Sequence, residues 1–154
     1  MKIRKEESAD AMIEFALIMP VFITMLLGVL QMGLALQKSG ALADSARAGA
    51  ESALLQTCSP SNGCYTNYTS MQSVATASAA SAGITSYSAV ATNFCTCNPG
   101  SGTTVSCTGY CTGYGQPAMY VQVTATGTVP VFFGHSSGFA TKAVARVRIP
   151  CPLC

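Results

Sequence analysis

No tryptophan occurs in these 154 residues, charged side chains make up only 9% of them, and histidine occurs once, as His135. No acidic residue follows Glu51. That absence leaves His135 without a carboxylate to orient it or to share a metal with it, and it rules out a Ser-His-Asp arrangement with the neighbouring Ser136 or Ser137. Catalysis by paired carboxylates is excluded over the same stretch. The cations there are Lys142, Arg146 and Arg148, too few over so long a stretch for a nucleic-acid footprint. A CxxCH run is also lacking, so covalent haem is not indicated. An enzyme is not expected, nor is a cofactor.

Large side chains are scarce too. Beyond Ser39 the chain is dominated by Ala, Ser, Thr and Gly, so a core built from it is thin and needs other support. Eight cysteines supply candidates: Cys58, Cys64, Cys95, Cys97, Cys107, Cys111, Cys151 and Cys154. They form an even set in a chain with room for one modest domain, which is the pattern of a disulfide framework in an oxidising compartment. Up to four bridges are expected, with connectivity open. Cys58 and Cys64 flank a Pro-Asn-Gly turn and could close a small loop. A zinc reading is weaker, since only Cys151 and Cys154 have the two-residue gap and the flanking apparatus of a zinc ribbon is missing. No metal is expected.

What the sequence does have is one long apolar run, Met12 to Leu36. From Phe15 onward it holds no charge, and it is long enough as a helix to cross a ~30 Å hydrocarbon core. It reads as a membrane-spanning helix. Lys2, Arg4 and Lys5 precede it and only Lys38 follows closely, which places the N-terminus in the cytoplasm and the cysteines across the membrane. A secretory signal is the rival reading, with Ala41-Leu42-Ala43 imitating a cleavage site, but the run exceeds an ordinary h-region. Two residues in the run ask for a reason. Pro20 removes a helical hydrogen bond and is expected to kink or loosen the span, and Glu14 is a carboxylate at the edge of lipid, which is costly without a partner.

Four segments follow: a leader over residues 1–9, the apolar helix over 10–37, a helical extension over 38–57, and a Cys-rich extracytoplasmic domain over 58–154. In the extension Leu42, Ala46, Gly49 and Ala53 recur at helical spacing, while Arg47 and Glu51 stand four apart and can pair. A short helix is expected over Tyr68 to Ala82, ending at Gly83, and a strand over Ile84 to Phe94. The clearest strand is Met119 to Val129, with Val121, Val123 and Ala125 on one side and Tyr120, Gln122, Thr124 and Thr126 on the other. Its partner is Phe139 to Ile149, in which Lys142, Arg146 and Arg148 share a face. Between them lies a loop with an apolar tip at Val131 to Gly134. The fold class is therefore α+β: a long N-terminal membrane-spanning helix continuing into a disulfide-stapled ectodomain with a small antiparallel sheet.

The N-terminal pattern resembles a known family. Ala9, Glu14-Phe15, Ala16-Leu17 and Pro20, followed after the apolar run by Ala46-Arg47-Ala48-Gly49-Ala50, are similar to the TadE-like pseudopilins of tight-adherence (Flp) pilus systems; Ala9 stands where glycine is usual. The resemblance implies a pilin-like subunit in the cytoplasmic membrane or a surface filament. It further implies leader cleavage between Ala9 and Asp10 by a prepilin peptidase, and assembly through Glu14, Phe15 and Pro20. The partners it implies are the membrane, other copies or related pilins, and Tad-type assembly machinery. A membrane-anchored binding module that does not polymerise is the alternative, with the 131–134 tip as its surface.

Overall fold

The computed structural model describes residues 4–56, 67–98, 103–129 and 138–149, the first eight of these by backbone alone. The chain divides into two compact units, residues 1–36 and 37–154. Helix α1 spans Arg4–Glu51 and contains Pro20 without an interruption of its helical geometry. In the first unit its large apolar side chains are exposed on every side.

The second unit takes the last turns of α1 as a core element. Leu42, Ala46, Ala50 and Ala53 are fully buried, and Gly49 lies in the same stripe. This is the helical spacing expected from the sequence, and its small side chains permit a close approach. A Cβ on Gly49 would stand 2.8 Å from Ala75 Cβ, 2.9 Å from the Met71 carbonyl oxygen and 3.3 Å from Val123 Cγ1. After Glu51 the helix tightens into a 3-10 turn over Ser52–Leu55. The Ser52 hydroxyl donates to the Gly49 carbonyl at 2.7 Å, a back-bond that Ser commonly makes near helix ends. Arg47 pairs with Asp44 at 3.8 Å rather than with Glu51, both side chains being exposed.

Helix α2 spans Tyr68–Ser81 and buries Met71, Ala75 and Ala79. Its start is set by Asn67, whose side-chain oxygen accepts the Ser70 N–H at 3.1 Å. Its end is set by Gly83, where φ is +67°. There the Gly83 N–H bonds the Ala80 carbonyl at 2.9 Å and the Ile84 N–H bonds the Ala79 carbonyl at 3.2 Å, the crossed pair of a glycine C-cap. Lys38 Nζ donates to the carbonyl of Ala82, bringing a cation to the negative end of α2. Because Asn67 satisfies one of the orphan N–H groups of α2, Asn67→Ala is expected to cost about 1 kcal/mol, read as a lower urea midpoint.

Three strands complete the unit: β1 (Thr85–Thr96), β2 (Ala118–Val129) and β3 (Phe139–Ile149). They form one antiparallel sheet in the order β1-β2-β3. In β2 the inward residues Met119, Val121, Val123, Ala125 and Val129 are buried and alternate with more exposed Tyr120, Gln122, Thr124, Thr126 and Thr128. In β3 Ala145 and Ile149 face inward while Lys142, Val144, Arg146 and Arg148 face out. The expected alternation holds in both. In β1 the pairing register shifts between Thr85 and Ser88, and Ser86 within that bulge has φ of 49°. The strand also continues beyond Phe94 because Cys95 and Thr96 keep their pairing with Met119 and Ala118. At the other end of β2, Gly138 is required: its φ is +69°, and a Cβ would lie 2.5 Å from the Val129 carbonyl oxygen.

Candidate functional site

Among the described residues two features stand open to partners. The first is α1 in the unit 1–36. Phe15, Leu17, Val21, Leu30 and Met32 are each more than 60% exposed, although they lie on all sides of the helix. A helix apolar all round is unstable in water and belongs in lipid or among other helices. α1 is long and apolar enough to cross a membrane.

Glu14 and Pro20 are exposed on this helix beside the 61% exposed Phe15. Ala9 and Asp10 lie on the same helix, earlier in the chain. At a rise of 1.5 Å per residue, Glu14 lies about 7.5 Å along the axis from Ala9. Inside the span the Thr24 hydroxyl donates to the Val21 carbonyl at 2.8 Å, so this polar side chain is satisfied within its own helix.

The second feature is the outward face of the sheet. Phe94 of β1 and Tyr120 of β2 are cross-strand partners whose rings stack at 5.4 Å with planes 12° apart. The Arg146 guanidinium lies 5.5 Å from the centre of the Phe94 ring, and its Nε donates to Gln122 Oε1 at 2.7 Å. Gln122 stands directly opposite Arg146 in the register. The side chain is thus held by a hydrogen bond and by the ring face, which contributes about 0.5–1 kcal/mol at an exposed site. Lys142 and Arg148 flank it on the same side of β3. The shared face of the three cations was legible from period-2 spacing; the hold of Phe94 and Gln122 on Arg146 was not, since it depends on strand register.

Two disulfides tie the connection between β1 and β2. Cys95 joins Cys107 with Cα atoms 5.2 Å apart, and Cys97 joins Cys111 at 5.3 Å. Cys95 and Cys111 are buried, at 1% and 2% exposure. Val105 N–H donates to the Cys95 carbonyl at 2.8 Å, which fastens the loop back onto the strand end. Cys58, Cys64, Cys151, Cys154, His135 and the apolar tip at 131–134 lie outside the described residues. Among the described residues no group of three or more His, Cys, Asp or Glu could hold a metal ion. A shallow, open bay at one end of the sheet, bordered by Ser86, Thr126, Thr128, Thr141 and Lys142, is lined by hydroxyls without a carboxylate.

Residues 10–51 match the family described as TadE-like protein. The match covers the apolar helix and the buried stripe of the second unit as far as Ala50, and it bears out the resemblance carried by Glu14-Phe15, Pro20 and Ala46 to Ala50. No curated protein matches the chain. No solved structure matches it either.

Proposed function

We propose, from the match of residues 10–51 to the TadE-like family, that the chain is a Tad-pilus-associated, pseudopilin-like structural subunit assembled into a surface pilus through α1. The observation that carries this reading is the exposure of α1 on all sides over an uncharged stretch that begins just after Glu14. Such a helix is stable in a bilayer, and it is equally stable when copies of itself replace lipid. Transfer from membrane to filament then requires no refolding of the span. Glu14 has a role in that transfer. A carboxylate entering an apolar bundle needs a cation, and removal of the leader after Ala9 creates an α-amino group at Asp10 that can meet Glu14 of a neighbouring copy. The N-terminus lies in the cytoplasm before transfer, with the Cys-rich domain outside.

Intact-protein mass spectrometry of sheared surface filaments and of the membrane fraction tests this. The expected result is a filament species lacking Met1 to Ala9, with its cysteines oxidised. A full-length species confined to membranes overturns assembly by this route and leaves a membrane-anchored module.

A further inference from the structure

The outward face of the sheet carries charge that no ion pair among the described residues neutralises. Lys142, Arg146 and Arg148 are all exposed on β3, and among the described residues none of them forms an ion pair. All six acidic residues of the chain stand at or before Glu51. In the second unit they are Asp44 and Glu51, both exposed on α1. Seven residues apart, these two lie two helical turns apart on the same side of α1, about 10 Å from each other. Their side is opposite the buried stripe of Leu42, Ala46, Gly49 and Ala53. Arg47 offsets Asp44 at 3.8 Å, while Glu51 has no ion pair among the described residues.

We propose that the outward face of β3 docks on the outward face of α1 in a second copy, Arg146 meeting Glu51 and Lys142 meeting Asp44. This rests on the assembly reading above and names the contact that the second unit contributes to it. The spacings agree: Lys142 and Arg146 are four residues apart on a strand, about 13 Å, and long flexible side chains take up the difference from about 10 Å. Arg146 is already positioned by Gln122 and Phe94, so little side-chain freedom is lost when it engages a carboxylate. β3 is also an edge strand, and its row of cations opposes pairing of two such edges with each other. A helix face bearing carboxylates is the complementary surface, and the contact is expected to weaken as salt rises.

The test uses the full chain in membranes and in filaments. Two copies labelled by conservative substitutions that change the masses of their Lys142-bearing and Glu51-bearing peptides are co-expressed and treated with a carbodiimide, which joins a lysine amine to a carboxylate held against it. Peptides linking Lys142 to Asp44 or Glu51 across the two labels are expected, and such links confined to a single label overturn the proposal. In parallel, the pair Lys142→Glu with Arg146→Glu, and separately Asp44→Lys with Glu51→Lys, are expected to lower filament yield about tenfold. All four changes together restore it, because each copy then presents both faces reversed. A single-face reversal with undiminished yield overturns the proposal, and doubly so if it abolishes binding to a soluble acidic polysaccharide, since the face then meets an external polyanion. Filaments with no mixed-label link defeat this contact alone, whereas mixed-label links in membranes without any filament defeat the filament reading alone.

Discussion

Replacing Gly49 by leucine is expected to destabilise the second unit by about 3 kcal/mol, the upper part of the range for overpacking a close contact. The side chain has nowhere to go. Even its first carbon would lie 2.8 Å from Ala75 Cβ and 2.9 Å from the Met71 carbonyl oxygen, and one of these is backbone. Relief requires α1 to move away from α2, which opens gaps around Leu42, Ala46 and Met71, all fully buried. Urea unfolding of the detergent-solubilised chain, followed by near-UV circular dichroism of its tyrosines, reads the loss without interference from the apolar helix. Gly40 is the control, because a Cβ there meets nothing within 4 Å. Gly40→Ala is expected to raise stability by up to about 1 kcal/mol through helix propensity. Equal effects at the two positions would refute the packing argument.

Removing the Cys95–Cys107 bridge by paired alanine substitution is expected to cost about 3 kcal/mol, the loop-closure value for a separation of 12 residues. The Cys97–Cys111 bridge, with a separation of 14, has a similar value when removed alone. The two losses should not add. The loops overlap over residues 97–107, so either bridge already restricts most of the chain that the other closes, and the second removal costs less than the first. The buried Cys95 adds a packing loss that the exposed Cys107 does not. Urea midpoints of the two double-alanine variants and of the quadruple variant decide this. A strictly additive loss would show that the bridges restrain independent segments.

Much of this architecture was legible because it rests on periodicity. The stripe through Leu42, Ala46, Gly49 and Ala53 announced a buried helix face, and the alternation in Met119 to Val129 and Phe139 to Ile149 announced two half-buried strands. What escaped the sequence depends on groups distant along the chain. Lys38 looked like a charge flanking a membrane span, yet its amine bonds the carbonyl of Ala82 at the end of α2, a sequence separation of 44. At Gly127 a Cβ would meet Ile84 Cγ2, far back along the chain, at 2.7 Å. Arg47 was expected to pair with Glu51 four residues on, whereas the structure sets it 3.8 Å from Asp44. Cystine pairing was open for the same reason, since four cysteines in a turn-rich loop pair according to how the strand ends are held. The roles proposed for Ala9 and Asp10 in leader cleavage, and for Glu14, Phe15 and Pro20 in assembly, involve groups that a single copy does not contain.

The position of β2 dictates a timetable. As the central strand it pairs with β1 on one side and with β3 on the other, and its buried residues also meet the helical stripe that begins at Leu42. A core whose parts run from Leu42 to Ile149 cannot close until Ile149 has been made. While the ribosome is still producing β2, the apolar helix is already available for insertion, but the stripe behind it has no surface to cover it. Closure of the second unit is therefore paced by β3. A truncation that removes β3 should leave a chain that inserts normally and is then degraded.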